Sequence, residues 1–233
     1  MQYNNPYIEL CLEGTSSIFK GVNQRDKEVI AQHHTVYHFK KGDLLFKAGD
    51  KHKGLICLAS GKVKVFKEGV GGRKQILKLV KRQGLIGYRS LFAEHSWTVS
   101  AEAIEDSVIC VFEKSSFVKI LKKNADLGFR FIKILSEELA YSNNRIVSLT
   151  QKHIRGRIAE SLLIMCDTYG YDEESDTIRV YLSREDIAGL SNMTTSNAIR
   201  TLSNLAAEGS IAIKGKKITI LNAKNLEHIS ESG

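Results

Sequence analysis

The hydrophobic period of this 233-residue chain changes at Glu113 and Lys114, and that change limits the fold more than any other feature. Before it, apolar and polar residues alternate in short runs separated by glycine-containing turns, as in TVYHF, GLICLASGKVKVF, RKQILKLV and SVICVF. Such runs predict an antiparallel barrel or jelly roll. After it, apolar residues recur every three or four positions, which indicates helices. The chain is therefore expected to be an α+β protein whose barrel comes first.

The longest helical segment covers residues 125–152, ADLGFRFIKILSEELAYSNNRIVSLTQK. Its apolar residues alternate steps of three and four, the spacing of a two-stranded coiled-coil seam. Packing on the chain's own barrel would fit the same pattern, but the length of the helix favours dimerisation. The predicted seam consists of Ile132, Leu135, Leu139, Ser142, Ile146 and Leu149.

A second helical region, SREDIAGLSNMTTSNAIRTLSNL in residues 183–205, predicts two short helices hinged at Ser191 and Asn192. Ser183 and Thr194 suit helix N-caps, and Asp186 stands where the acid of a capping box reaches back. Asn192 tolerates the left-handed backbone that the hinge needs. The spacing therefore predicts a helix-turn-helix.

The outer face of the second helix carries hydrogen-bonding groups that suit the major groove of DNA, where an arginine can bind guanine through two bonds. These side chains are Thr195, Ser196, Asn197 and Arg200. The following hairpin offers Lys214, Lys216 and Lys217 to phosphates, which makes the unit winged. An ordinary pair of packed helices with a polar outer face would show the same pattern, so the segment alone leaves both interpretations open.

The remaining elements complete the predicted order. Residues 22–33 have helical content before the first strand, and SSFVKILKK predicts a short helix after the barrel. RGRIAESLLIMCDTYG predicts a helix that ends at Gly170, and IRVYL predicts a strand. IAIKGKKITIL predicts two strands joined by a turn, and a polar tail follows them.

The net charge of +8 favours a polyanionic partner, but its distribution is uneven. Residues 1–152 hold 25 basic against 15 acidic side chains, whereas residues 153–233 hold 9 against 11. A basic face remains within residues 177–224, with 7 basic and 3 acidic side chains. The barrel carries a basic run that we interpret as a solvated outer sheet face, with bent DNA or RNA polymerase as alternative partners. This run consists of Lys62, Lys64, Lys67, Arg73, Lys74, Lys78, Lys81 and Arg82.

Cysteine and histidine usage argues against a metal centre. The cysteines at 11, 57, 110 and 166 lie far apart without a CxxC pair, which predicts buried thiols in a reducing compartment. We interpret His33, His34 and His38 as solvated residues at a helix-to-strand junction, with haem or metal ligation as the alternative. Neither a long apolar run nor a secretory start occurs, so we expect a cytoplasmic protein without a membrane partner. No catalytic motif stands out, so we expect no enzyme.

The order of several motifs resembles one family of bacterial regulators. ASGKVKV in the barrel, GRIAESLL after the long helix, SREDIAGL and KGKKITI together resemble the family of the cyclic AMP receptor protein and the fumarate–nitrate reduction regulator, over roughly residues 14–222. The resemblance implies a homodimeric transcription regulator that reads a two-fold symmetric DNA site. It also implies a cyclic-nucleotide-binding-like barrel in residues 1–123, a dimerisation helix in residues 124–152 and a winged helix-turn-helix in residues 153–233.

The resemblance also assigns DNA contacts. Arg200 matches the family's base-contacting arginine and Arg184 a phosphate-contacting one. Thr195 and Ser196 stand at base-reading positions, where Ser196 replaces the family's common glutamate, so the best-known operator of the family is not expected here. The predicted DNA-binding set is Ser183, Arg184, Thr194, Thr195, Ser196, Asn197, Arg200, Lys214, Lys216 and Lys217.

The effector pocket departs from the cyclic AMP branch, whose phosphate cassette supplies glycine, glutamate, arginine and serine. In GLIGYRSLFAEHSWTVSAEA, Gly87 is kept, Tyr88 replaces the glutamate, and Trp97 stands at or beside the arginine. Without that arginine a cyclic phosphate loses its charge-assisted partner, so we predict an effector other than cyclic AMP. The predicted pocket is Gly87, Tyr88, Arg89, Ser90, Trp97, Thr98, Ser142 and Asn143.

Several alternatives stay open at this point. Cys11 alone stands where the cluster branch of the family carries several cysteines, which argues against an iron–sulfur cofactor. Tyr88 and Trp97 could fill the pocket of a regulator that needs no effector. A ligand-binding module that docks on a protein partner through its helix pair is the alternative to DNA binding.

Overall fold

The computed structural model describes residue 3 and residues 5–232, which form two compact units. The first unit comprises the chain up to Lys67 together with Lys78–Leu139. The second comprises Glu68–Leu77 and the chain from Ala140 onwards. The long helix therefore contributes residues to both units.

The first unit contains the predicted barrel, built from two four-stranded antiparallel sheets with the orders β1-β8-β3-β6 and β2-β7-β4-β5. Side chains that alternate along the strands meet between the sheets, where Phe46, Ile56, Val65 and Trp97 belong to one buried cluster. The strands are β1 (His34–Phe39), β2 (Leu44–Phe46), β3 (Gly54–Ser60), β4 (Val63–Glu68), β5 (Lys74–Val80), β6 (Leu85–Ile86), β7 (Ser100–Ala103) and β8 (Ser107–Glu113).

Helices cover one side of this barrel and enclose a second buried cluster. Aromatic rings dominate it, since Phe19, Phe112, Phe117 and Phe131 contact one another edge to face. Such contacts stabilise a core beyond the area that they bury. The helices are α1 (Pro6–Glu13), α2 (Gln24–Gln32), α3 (Tyr88–Phe92), α4 (Lys114–Lys123) and the first part of α5 (Ala125–Gln151).

The second unit contains the predicted winged helix-turn-helix. The helix Ile154–Tyr169 ends at Gly170, as predicted, where the backbone adopts φ 70° and ψ −164°, a conformation open to glycine. The elements of the unit are the last part of α5, α6 (Ile154–Tyr169), α7 (Arg184–Leu190), α8 (Thr195–Ala207), β9 (Ile211–Lys214), β10 (Lys217–Ile220) and α9 (Ala223–Ser232). The predicted α+β fold of jelly-roll barrel, long helix and winged helix-turn-helix is therefore confirmed.

Two predictions for the second unit are wrong. IRVYL is not a strand, because Ile178 makes only an isolated bridge to Tyr171 before the chain turns towards the next helix. The polar tail is the helix α9, whose Leu226 and Ile229 are buried and which packs against α6. Spaced three residues apart, these two side chains share one helix face, and packing supplies the stability that so short a helix lacks alone.

The basic run of the barrel is solvated only in part. Lys64 is 7% exposed, and its ammonium lies 2.7 Å from the carboxylate of Glu102. The two residues are direct partners across β4 and β7, a position where opposite charges attract. Lys62 pairs in the same way with Glu105 at 2.7 Å. The prediction of a solvated face is therefore wrong at Lys64, although it holds for the exposed residues such as Arg73, Lys81 and Arg82.

All four cysteines are free and buried, as predicted. Burial raises the pKa of the Cys166 thiol, and the hydrogen bond to Cys11 together with burial raises that of Cys110, so both thiols stay protonated and unreactive. Within residues 5–232, no helix combines the length and apolar character that crossing a bilayer would require.

Candidate functional site

The helix pair of the second unit is capped as predicted. The Ser183 hydroxyl accepts the amide of Asp186 at 3.0 Å, and the Asp186 carboxylate accepts the amide of Ser183 at 3.1 Å, which completes a capping box. Asn192 adopts φ 50° at the hinge. Thr194 caps α8 by accepting the amide of Asn197 at 3.2 Å. These local contacts set where each helix of the pair begins.

Two arginines that sequence reasoning missed hold the hinge between α7 and α8. The guanidinium of Arg145 donates to the carbonyl of Leu190 at 2.6 Å and to the carboxylate of Glu160 at 2.7 Å. Arg157 donates to the carbonyl of Asn192 at 2.8 Å. Because charge-assisted bonds to helix-end carbonyls are strong, they fix the angle at which α8 leaves the hinge. The position of Arg145 was a signal in the sequence, because this charged residue lies in α5 directly before the predicted seam residue Ile146.

The outer face of α8 presents the predicted polar groups. Thr195, Ser196 and Arg200 are exposed, and Asn197 is half-buried. The amide oxygen of Asn197 accepts a bond from the Arg200 guanidinium at 2.9 Å, which orients the arginine along the first turns of the helix. Ile199 is exposed beside them and was not predicted. An apolar side chain at this place suits contact with a thymine methyl group.

The wing adds positive charge next to this face. Lys214, Lys216 and Lys217 are all exposed around the turn between β9 and β10. Arg184 in α7 donates to the carbonyl of Gly215 at 2.8 Å, so it ties the first helix of the pair to the wing. Its second terminal nitrogen has no hydrogen-bond partner among the described residues. That nitrogen is buried, so it is the bond to Gly215 that positions the guanidinium.

The first unit places the predicted cassette residues around one small cavity of about 30 Å³. Gly87 adopts φ +89° before α3, and a Cβ atom at this position would lie 2.2 Å from Cη2 of Trp97. The indole itself is 4% exposed and stacks on Phe46 with ring centroids 4.0 Å apart. The remaining space has room for only a few water-sized atoms. Trp97 therefore fills the space beside Gly87.

Tyr88, which is itself buried, belongs to a polar group in the same cavity. Its hydroxyl accepts from the ammonium of Lys78 at 3.3 Å. Lys78 also pairs with Glu138 on α5, and Arg89 lies 3.9 Å from that carboxylate. Burial, and then the carboxylate of Glu138, raises the pKa of Tyr88. Burial alone would raise the pKa of Glu138, but Lys78, Tyr88 and Arg89 together hold it below its usual value.

Sequence reasoning missed Lys78 and Glu138 as part of this cavity. It named Gly87, Tyr88, Arg89, Ser90, Trp97 and Thr98, and all six line the cavity. Ser142 and Asn143 are exposed on α5 in the second unit and are not among the lining residues. The structure thus brings together the predicted residues of the barrel and adds an ion pair to the long helix.

The histidines lie at the predicted junction between α2 and β1. His33 and His34 each bond through Nδ1 to a backbone carbonyl, of Val29 at 2.9 Å and of Ala31 respectively. His38 packs edge-on against Tyr7. In the part of the chain that the structure describes, no group of three or more histidine, cysteine or acidic side chains is arranged to hold a metal ion.

Comparisons with known proteins agree with this architecture. Residues 36–124 match the cyclic nucleotide-binding domain, and residues 156–229 match the Crp-like helix-turn-helix domain. The CRP-like cAMP-activated global transcriptional regulator of Mycobacterium tuberculosis is 24% identical over 213 residues, 91% of this chain and 95% of that protein. The fumarate and nitrate reduction regulatory protein of Escherichia coli K12 is 27% identical over 192 residues, 82% of this chain and 76% of that protein.

The structure of FixK2 from Bradyrhizobium japonicum has the same fold, with a TM-score of 0.75 at 22% identity over 84% of this chain and 96% of that one. A nucleotide-binding type of barrel, a long helix and a Crp-like helix-turn-helix define a DNA-binding transcription regulator. The chain belongs to the Crp/Fnr family.

Proposed function

We propose that the protein is a homodimer that reads a specific DNA sequence through α8 and responds to an effector other than cyclic AMP. The observation that carries the DNA-reading part is the exposed Arg200, which Asn197 orients at the first turns of α8. A helix presented in this way fits the major groove, and a guanidinium reads guanine through two hydrogen bonds. Arg184 and the wing lysines supply phosphate contacts that hold the register.

Removal of Arg200 tests the reading directly. DNA recovered genome-wide with the protein supplies a native site, and binding of Arg200→Ala is compared on that site and on random duplex. We expect the variant to lose about 1–3 kcal/mol of discrimination, the worth of one bidentate base contact. Arg179→Ala removes an exposed arginine of the same unit outside the helix pair and serves as the control. Unchanged discrimination by Arg200→Ala would disprove the assignment.

The dimer is proposed from the exposed apolar seam of α5. Ile132, Leu139 and Ile146 are 59%, 64% and 62% exposed, an arrangement that leaves one apolar stripe facing water. Leu135 and Leu149 are half-buried, and Ser142 is exposed. Apolar stripes at this spacing are buried when two helices pair. A second copy of α5 is the partner that the spacing fits.

A charge placed in the seam tests this part. Leu139→Glu together with Ile146→Glu should convert the dimer to a monomer in sedimentation equilibrium, because each carboxylate would be buried in the seam without a cationic partner. Asn144→Glu is the matched control, since Asn144 is exposed and lies about 200° around the helix from Ile146. A double variant that remains dimeric would refute the seam.

The effector is proposed to differ from cyclic AMP because of Trp97. The M. tuberculosis relative is described as cAMP-activated. In this chain the indole occupies the place beside Gly87, and the cavity of about 30 Å³ is too small for a nucleotide. The polar side chains of this cavity already contact one another, since Lys78 bonds to Tyr88 and pairs with Glu138. Calorimetry should therefore detect no binding of cyclic AMP, and submicromolar binding would contradict the proposal.

A further inference from the structure

The barrel of the first unit contains a second, larger cavity of about 270 Å³. Trp97 is the residue that lines both this cavity and the small one beside Gly87. The indole is therefore the partition between them. The volume is close to the lower end of the range typical of small-molecule sites, about 300–1,000 Å³.

The walls of the larger cavity are apolar and largely aromatic. Tyr37 and Phe39 come from β1, Phe46 from β2, and the indole of Trp97 stacks on Phe46. The aliphatic side chains Leu45, Ile56, Ile109 and Val111 complete the walls. Aromatic faces and edges pack well against a further ring, so this lining selects an apolar, aromatic body.

The mouth of the cavity is positively charged. Lys51 and Lys53 are exposed there, and the ammonium of Lys53 lies 5.5 Å from the centroid of the Tyr37 ring. Neither lysine has a carboxylate partner within residues 5–232. Asp50 also lines the cavity and accepts the amide of Lys47 at 3.0 Å, so its single negative charge stands against the two positive charges of the lysines. The two ammonium groups favour an anionic head on the ligand.

We propose that this cavity binds a small aryl carboxylate, with its ring between the aromatic walls and its carboxylate at Lys51 and Lys53. The site is separate from the small cavity around Gly87. One ring with a short acid chain matches the volume and leaves the acid at the mouth.

A ligand in this cavity affects α3 and α5 through its contact with Trp97. The indole edge is in close contact with Gly87, so a ring that moves Trp97 also moves the start of α3. The next residue, Tyr88, accepts a hydrogen bond from Lys78, which pairs with Glu138 on α5. The ligand therefore shifts the helix that carries the proposed dimer seam. This regulatory half of the inference rests on the proposed function, whereas the binding half does not.

The binding half is tested on the whole chain with phenylbutyrate, its uncharged amide phenylbutyramide, and the non-aromatic acid hexanoate. Calorimetry measures affinity, and the emission of Trp97 reports on the cavity because the chain has a single tryptophan. We expect phenylbutyrate to bind and to shift the emission, with the amide and hexanoate each at least about tenfold weaker, or roughly 1.4 kcal/mol.

Variants locate the site. Lys51→Gln with Lys53→Gln should reduce the preference for the acid over the amide about tenfold, while Lys47→Gln in the same turn should leave it unchanged. Val111→Phe places a ring in the cavity and should abolish binding. If Val111→Phe does not fold, the lysine variants still test the site, because Lys51 and Lys53 are exposed.

Three outcomes overturn the proposal. They are no detectable binding of phenylbutyrate, binding of phenylbutyrate no tighter than that of its amide, and lysine variants that bind as the wild type does. A fourth outcome separates the two halves: if phenylbutyrate binds as expected but leaves DNA affinity and dimerisation unchanged, the coupling through Trp97 is wrong and the site stands. Loss of DNA binding in every state would instead refute the proposed function.

Discussion

Replacement of Gly87 by alanine should reveal how tightly Trp97 fills the cassette. The new Cβ atom would lie 2.2 Å from Cη2 and 2.3 Å from Cζ3 of the indole, far inside van der Waals contact. The indole stacks on Phe46 and is buried, so it has little room to withdraw. The backbone must also hold φ +89° with a side chain present.

The two costs can be separated by a matched glycine. Left-handed backbone costs about 1–2 kcal/mol for a residue with a Cβ atom. Overpacking of a buried site adds about 1–3 kcal/mol. Gly42 has φ +90° and no atom within 4 Å of its ideal Cβ position, so Gly42→Ala carries the first cost alone. We therefore expect Gly87→Ala to lower the free energy of unfolding by about 1–3 kcal/mol more than Gly42→Ala does.

Urea unfolding followed by circular dichroism measures both variants. In the background of Trp97→Leu, which removes the indole, the cost of Gly87→Ala should fall to that of Gly42→Ala. Equal costs for the two alanine variants in the wild-type background would refute the reasoning, because Trp97 would then not occupy the space beside Gly87.

Three further predictions follow from other contacts. Arg145→Ala removes the charge-assisted bonds to Glu160 and to the carbonyl of Leu190, while Glu160 keeps Lys152 and Ser148. It should lower the free energy of unfolding of the second unit by about 1.5–3 kcal/mol, measured by urea titration, and a loss under about 1 kcal/mol would contradict the role of the hinge. Glu138→Gln should lower the free energy of unfolding at neutral pH. The difference from wild type should vanish as pH falls through the lowered pKa of Glu138, because protonation of the wild-type carboxylate removes the same charge. A difference in stability that persists in acid would exclude the ion pair. Lys216→Gln should reduce the slope of log affinity against log salt by about 0.9, and an unchanged slope would remove Lys216 from the phosphate contacts.

Features that depend on neighbours in sequence were predictable. The N-caps at Ser183 and Thr194 and the left-handed hinge at Asn192 involve contacts within three residues, so residue type and spacing determine them. The long helix α5 and the strands of the barrel follow from hydrophobic period in the same way. The order of these elements was sufficient to identify the family.

Features that depend on distant register were not predictable. Lys64 on β4 can be buried because it lies opposite Glu102 on β7 and pairs with it. No local sequence pattern reveals that pairing. Lys78 and Glu138 meet although 60 residues separate them. The larger cavity likewise arises from residues on β1, β2, β3 and β8, whose packing leaves a space that periodicity does not encode. Volume and ion pairing are properties of the assembled barrel.

The central claim is that two copies of the chain read one DNA site with two equivalent α8 helices. It is tested most directly by hydroxyl-radical footprinting of a native site, combined with a mass measurement of the complex. The account predicts two chains per duplex and protection in two half-sites whose centres lie one helical turn apart, about 10 base pairs. One chain per duplex, or a single protected segment without a symmetric mate, would contradict it.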